Sequence, residues 1–179
     1  MNTRARAIVV ALSSLGMAFA VLNTSHTLKA QTPMPATTAT ASSLVGTWTL
    51  TAADDLLPDG TRVHAYGSNP QGLLVFETDG RYTLQIFRDD RMKFASGDKR
   101  HGTPDEYKEA SLGMSCHFGR YTVDATKGTI TFQIDRASFP NWDGAKQTRP
   151  FTLKSDELEW HVPATPDGKI PISAWRRVR

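Results

Sequence analysis

Cysteine is almost absent from this chain: Cys116 is the only one among 179 residues. One thiol cannot form a disulfide within the chain, which excludes the class of small exported domains held together by disulfide bonds. The fold must therefore be stabilised by the packing of its side chains.

An excess of charge is also absent once the first thirty residues are set aside. The whole chain has 21 Lys and Arg against 18 Asp and Glu, but Arg4, Arg6 and Lys29 all precede residue 31. Residues 31–179 therefore carry 18 side chains of each sign. A neutral chain without a basic stripe is not typical of nucleic-acid-binding proteins, so we expect no nucleic-acid partner.

The sequence has no long apolar run that clearly predicts a membrane span. The longest, Ile8 to Leu22, is short and rich in small residues, and two arginines precede it. This layout is typical of a secretory signal peptide, predicted over residues 1–30 with cleavage after Ala20 or Ala30. We expect a periplasmic or secreted protein without stable membrane insertion.

After the predicted signal peptide, residues 31–43 consist mostly of Pro, Thr, Ala and Ser and have no charge. Such a composition predicts a disordered linker, because it contains no large apolar side chain to bury apart from methionine. Residues 44–179 are then left as one domain, which is long enough to bury a core or enclose a cavity.

Short runs of alternating apolar and polar residues fill this domain. They cover residues 45–52, 62–67, 72–77, 81–87, 117–124, 129–135, 147–153, 157–162 and 172–178. Turn signals such as Asp79-Gly80 and Lys127-Gly128 predict antiparallel hairpins between neighbours. The pattern therefore predicts an all-β fold, an antiparallel up-and-down β-barrel of eight or nine strands.

One short helix interrupts the strands. Residues 103–106, Thr-Pro-Asp-Glu, form a capping box with proline at the first helical position, and the helix is expected to end at Leu112 before Gly113. It lies within residues 88–116, the longest irregular connection. We expect that connection to act as a lid over one end of the barrel.

Alternation also predicts which side chains point into the barrel. The aromatic candidates are Trp48, Tyr82, Phe132, Phe151 and Trp160. In the last strand, the face with Ile172, Ala174, Arg176 and Val178 is more apolar than the face with Ser173, Trp175 and Arg177. The pattern therefore predicts Arg176 inside the barrel, beside Trp48.

The same alternation places a second arginine on an apolar face, since Arg149 shares its face with Phe151 and Leu153. Burying an unpaired guanidinium costs several kcal/mol, so this side chain needs a partner. The partner is either a ligand carboxylate or enolate in the barrel, or an acidic group of the protein. Just upstream, Asn141 and Trp142 either flank the barrel mouth or form a rigid turn over the core.

Catalytic and metal-binding signatures are missing. Four histidines lie in the predicted domain: His64, His101, His117 and His161. None forms a His-x-His or His-x-x-x-His pair, so we predict no metal and no cofactor, and we assign no catalytic residue. The acidic pairs Asp54-Asp55 and Asp89-Asp90 lie near predicted turns, where solvated loop acids are expected.

Several segments together resemble a known family. Gly46-Thr47-Trp48 and a late arginine resemble the lipocalin signature, in which the tryptophan plugs the closed barrel end under the arginine. The segments YGSNPQGLLVFETDGRYTLQIFR, FASGDKRHGTPDEYKEA, GRYTVD and FPNWDGAKQTRPFTL are similar, in order and spacing, to the bacterial and fungal lipocalin-like domain family. The resemblance covers roughly residues 44–179. It implies a calyx, with Trp48 and the arginine, Arg176 by alternation, in structural roles.

Three functions remain open at this point. The first is an exported calyx, monomeric or weakly dimeric, that binds a small hydrophobic or amphiphilic molecule. Its proposed ligand-binding residues are Tyr82, Phe132, Asn141, Trp142, Arg149, Phe151 and Trp160. The second is a cofactor-free cyclase, isomerase or hydratase with a small hydrophobic substrate. The third is a structural or stress-related envelope protein with a packed barrel.

Overall fold

The computed structural model describes residues 39–179. The predicted signal peptide and the first part of the predicted linker lie outside the described residues. The last linker residues are described, and Ala41–Leu44 form a one-turn helix, α1. Leu44, the first residue of the predicted domain, is completely buried in the core, and the linker over residues 31–43 stays a prediction.

Nine strands form within the described residues, one for each of the alternating runs, and the predicted fold class is confirmed. They are β1 (Gly46–Leu56), β2 (Arg62–Val63), β3 (Gln71–Phe76), β4 (Arg81–Phe87), β5 (Met114–Asp124), β6 (Thr129–Ala137), β7 (Lys146–Lys154), β8 (Glu157–His161) and β9 (Ile170–Arg177). Only β2 is much shorter than predicted. After it the chain turns away, and the Tyr66 amide donates to the Ala53 carbonyl.

The strands close into a barrel. From β3 to β9 each strand pairs antiparallel with the next, and β1 pairs with both β3 and β9. The short β2 adds to β1 as an extra strand, which gives a closed barrel of eight strands plus one. Two register shifts bend the wall, one between Leu50 and Ala52 in β1 and one between Phe118 and Gly119 in β5.

The predicted capping box starts the main helix, α2 (Pro104–Leu112). The Thr103 amide donates to Glu106 Oε2 at 2.7 Å, and the Glu106 amide donates to Thr103 Oγ1 at 3.2 Å. Glu106 Oε1 also accepts a hydrogen bond from the Ala95 amide, so one side chain fixes the helix and the preceding loop together.

Within residues 39–179, no helix has the length and apolar character needed to cross a membrane.

One end of the barrel is closed by Trp48, which is fully buried and donates its Nε1 hydrogen to the Leu44 carbonyl. The arginine over its indole is Arg177, with Cζ 4.0 Å from the ring centroid. The prediction of Arg176 is wrong: that side chain is exposed and forms an ion pair with Glu157. Alternation failed because the large Trp175 side chain takes the interior position.

Aromatic side chains fill the half of the interior next to this closed end. Phe132 lies at the centre of the cluster, with ring centroids 4.7 Å from Tyr82, 6.3 Å from Phe76 and 5.6 Å from Trp160. Trp160 in turn packs on Trp175 at 5.5 Å. The other end of the barrel encloses a cavity, so residues 39–179 do not form the fully packed barrel of the third hypothesis.

Candidate functional site

A cavity of about 560 Å³ occupies the barrel end opposite Trp48. The later part of β1, the start of β7 and the β2–β3 loop contribute to its wall. The lining residues used below are Asp54, Tyr66, Leu84, Ile86, His117, Trp142, Gln147, Arg149, Val162, Pro163 and Ile172. Its volume lies within the range of roughly 300–1,000 Å³ that is usual for small-molecule sites.

Arg149 of β7 points into this cavity from an almost fully buried position. Its Nη2 donates to Gln147 Oε1 at 2.5 Å, and its Cζ lies 5.0 Å from the Phe132 ring centroid and 5.8 Å from that of Trp160. Burial lowers the pKa of the guanidinium to about 10, so the side chain is still charged at neutral pH.

The charge of Arg149 has no acidic partner in the part of the chain that the structure describes. Its Nε hydrogen also has no acceptor there, and neither has the buried Nε1 of Trp160 below it. The inner end of the cavity therefore holds a buried donor, Arg149 Nε, that lacks an acceptor among the described residues. A buried donor without an acceptor costs about 1–3 kcal/mol, which an incoming acceptor group recovers.

His117 of β5 lies beside Arg149 on the cavity wall and was not assigned a role from the sequence. It is 3% exposed, and its Nδ1 lies 2.7 Å from the Tyr82 hydroxyl. Burial, with a smaller contribution from the charge of Arg149, lowers the pKa of His117 to about 3. The ring is therefore neutral at physiological pH. In the sequence, the available signal was that His117 lies on the same face of its strand as the core residue Tyr121.

The aromatic residues predicted to bind a ligand lie inside the barrel but mostly below the cavity. Tyr82, Phe132, Phe151 and Trp160 are each at most 3% exposed, and none belongs to the cavity wall. Alternation gives the face of a strand but not the depth along the barrel axis. These side chains form the packed layer beneath the site instead of its lining.

At the mouth, Trp142 lines the cavity, and its neighbour Asn141 does not. Both belong to a 3-10 helix, Pro140–Trp142. The Trp142 ring makes edge contacts with Phe139 at 5.5 Å and His117 at 6.2 Å between centroids. The tryptophan thus connects the mouth with the polar inner end.

The connection over residues 88–116, the predicted lid, contributes little to the cavity wall in this structure. All of it is described, and only Ser115, already in β5, contributes to the cavity wall. Within this segment, Glu106 accepts hydrogen bonds from the Ala95 and Thr103 amides and so links the helix to the loop before it. The rim is formed instead by Tyr66, Trp142 and Pro163.

Asp54 is not the solvated loop acid that the sequence suggested. It is 4% exposed, lies in β1 and lines the cavity. Arg62 Nε donates to its Oδ2 at 2.6 Å, and His64 Nδ1 lies 2.9 Å from its Oδ1. The prediction failed because β1 continues to Leu56, four residues beyond the predicted end at residue 52.

Within residues 39–179, no three His, Cys, Asp or Glu side chains come together as a metal site. Burial raises the pKa of the Cys116 thiol, so its reactive thiolate form is disfavoured. The chemistry available in the cavity is therefore that of Arg149, His117, the Asp54 carboxylate and hydrogen-bonding groups around an apolar space.

Comparison with known proteins adds a family match. A family model described as a lipocalin-like domain matches residues 45–178. Among solved structures, the wild-type fluorescent protein UnaG aligns at 13% identity and a TM-score of 0.36, covering 77% of this chain and 99% of that one. A point mutant of UnaG aligns at 15% identity and a TM-score of 0.35, covering 75% and 95%. No curated protein matches the chain.

Proposed function

Since the chain belongs to the lipocalin-like domain family, as its sequence resemblance predicted, we propose that the barrel binds a small molecule with an apolar body and one anionic group. The anionic group, a carboxylate or enolate, pairs with Arg149. The observation that carries this proposal is the buried guanidinium of Arg149, which has no acidic partner among residues 39–179.

Electrostatics favours a ligand as that missing partner. A buried charge without a counterion costs several kcal/mol, and the Gln147 amide and two aromatic faces only partly compensate for it. A planar guanidinium suits a carboxylate or enolate, because its parallel N–H groups meet two oxygens at once. The alternative, a structural ion pair, requires a carboxylate beside Arg149, and none is present among the described residues.

The remaining wall suits an apolar body. Leu84, Ile86, Val162, Pro163 and Ile172 line the cavity around the polar inner end. Burying the apolar surface of a ligand against these side chains contributes roughly 25 cal/mol per Å². We propose that these residues hold the apolar body and Arg149 fixes its orientation.

Two further proposals concern the cellular location and the oligomeric state of this protein. The predicted signal peptide over residues 1–30 supports export to the periplasm or medium. We expect the exported barrel to be monomeric or weakly dimeric. Mass spectrometry of the mature protein gives the cleavage site, after Ala20 or Ala30, and a cytoplasmic, uncleaved chain would refute export. Sedimentation at micromolar concentration gives the oligomeric state.

Pyrenebutyrate and pyrenebutanol test the binding proposal, because they share an apolar body and differ in the anionic group. We expect the acid to bind below millimolar concentration and more tightly than the alcohol, read by fluorescence. Arg149→Met should weaken acid binding roughly ten- to hundredfold and change alcohol binding little. Arg176→Met removes an exposed arginine and is the matched control. Equal binding of acid and alcohol by the wild type would contradict the role of Arg149.

A cofactor-free isomerase or cyclase is the second candidate. One observation favours it: His117, a neutral imidazole with a strongly lowered pKa, lines the cavity beside Arg149. Titratable groups with shifted pKa values in a cavity are typical of active sites. Proton exchange at the carbon next to a bound carbonyl, followed by NMR in heavy water, tests it; exchange equal in wild type and His117→Gln would refute it.

A further inference from the structure

His117 and Tyr82 form a buried, hydrogen-bonded pair on two neighbouring strands. Tyr82 of β4 lies opposite Gly119 of β5, two residues from His117. The phenol ring lies beside the imidazole, with ring centroids 5.4 Å apart and the hydroxyl 2.7 Å from Nδ1.

The direction of this hydrogen bond follows from the partners available. His117 Nδ1 is the only hydrogen-bond partner of the Tyr82 hydroxyl in the described part of the chain. Burial raises the pKa of Tyr82, so the phenol keeps its proton. If Nδ1 were the donor, the phenolic hydrogen would be buried without an acceptor. Tyr82 therefore donates and Nδ1 accepts.

An imidazole that accepts at Nδ1 and is neutral carries its hydrogen on Nε2. The Tyr82 hydroxyl occupies Nδ1, so Nε2 is the nitrogen left for the cavity that His117 lines. His117 and Arg149 border the same Phe132 ring, at 5.8 Å and 5.0 Å from its centroid. Two donors thus border one aromatic ring and line the same cavity.

We infer that this inner end is a two-donor cradle for a carboxylate: Arg149 pairs with the anion, and His117 donates from Nε2 in the tautomer fixed by Tyr82. This inference rests on the proposed binding function and goes further by naming His117 as a ligand-recognition residue and Tyr82 as its positioning residue. It also predicts that an amine is not held at this inner end, because both groups donate and neither accepts.

Nitrogen-15 NMR of the imidazole rings tests the tautomer on the intact protein without a ligand. The His117 signals are identified by their loss in His117→Gln. We expect a protonated Nε2 and an unprotonated Nδ1 at neutral pH, and a mixture of tautomers in Tyr82→Phe. A wild-type ring protonated at Nδ1 would overturn the inference, while pyrenebutyrate binding would still stand as a separate result.

Ligand binding tests the second donor. His117→Phe keeps the ring volume without a donor, and His117→Gln keeps an N–H group. We expect pyrenebutyrate affinity to fall on the order of tenfold or more in His117→Phe, less in His117→Gln, and pyrenebutanol affinity to change much less. His161→Phe, a half-buried histidine of β8 outside the cavity, is the matched control.

The outcomes separate the two proposals. If the wild type binds neither pyrene compound, the proposed function fails and the cradle fails with it. If the wild type and His117→Phe bind pyrenebutyrate equally while Arg149→Met binds it more weakly, the proposed function stands and the role of His117 in the cradle is wrong. Thermal melting shows whether each variant is folded. If His117→Phe is unfolded, pyrenebutyrate binding is compared in Tyr82→Phe and His117→Gln instead. An unchanged affinity in both variants refutes the cradle.

Discussion

Arg177 of the last strand stacks on Trp48 of the first strand and is hydrogen-bonded to the turn that precedes it. Its Cζ lies 4.0 Å from the centroid of the indole, and its two terminal nitrogens donate to the Ser43 and Val45 carbonyls at 2.6 Å each. The indole is fully buried and hydrogen-bonded to Leu44. One arginine therefore adds a cation-π contact and two hydrogen bonds to the β1–β9 pairing that joins the start and the end of the barrel.

Replacing the tryptophan should cost a large share of the stability of the domain. We expect Trp48→Ala to lower the free energy of unfolding by about 3–5 kcal/mol, because it leaves a cavity in a packed layer. Urea denaturation followed by circular dichroism measures this. A loss below about 1 kcal/mol would contradict the role of Trp48 as the plug.

The two adjacent arginines of β9 should behave differently. Arg177→Ala removes a stacked guanidinium and two carbonyl hydrogen bonds, so we expect a loss of about 1–3 kcal/mol. Arg176→Ala breaks an exposed pair with Glu157 and should change stability by less than about 1 kcal/mol. The double mutant of Trp48 and Arg177 should lose less than the sum of the single losses. Strict additivity would argue against the contact.

Removing Arg149 should weaken ligand binding without loss of stability. Arg149→Met takes away a buried charge that has no acidic partner among the described residues, so we expect the free energy of unfolding to be unchanged or higher. The same urea titration, without ligand, measures it. If Arg149→Met is as destabilising as Trp48→Ala, the arginine is structural and the ligand-anchor proposal fails.

Acid should destabilise the wild type partly through His117. The pKa of this ring is lowered to about 3 in the folded state by burial and by Arg149, so the unfolded state binds the proton first as pH falls. The contribution of the neutral His117 ring to stability is therefore fully present above about pH 6.5 and is lost as pH falls towards 3. Between pH 7.5 and 4.5 we expect His117→Gln to lose about 2–3 kcal/mol less than the wild type. Equal losses would show an ordinary pKa for His117.

The last prediction compares two neighbouring acidic residues of β1. Asp54 is buried and bound by Arg62 and His64, and Asp55 is half-buried with no ion pair among residues 39–179. We expect Asp54→Asn to cost about 1–3 kcal/mol, and Asp55→Asn less than about 1. Chemical denaturation of both variants at neutral pH compares them, and similar losses would show that the Arg62 and His64 contacts contribute little.

Local sequence patterns predicted much of the fold, because strand alternation, turns and the Thr103 capping box depend on neighbouring residues. They did not predict how deep a side chain lies along the barrel, which is why Phe132 and Trp160 were expected in the lining. They also did not predict partners from other strands. The contact of Tyr82 with His117 and the burial of Asp54 both depend on such pairing, and the face of β9 depended on where Trp175 fits.

The closure of the barrel at Trp48 has a consequence for exchange kinetics. A molecule seated above Phe132 has the packed aromatic layer behind it and can leave only the way it came. A second molecule cannot enter from the rear and push the first one out. Exchange must then proceed by release followed by entry, so its rate equals the rate of release and does not rise with the concentration of the competitor.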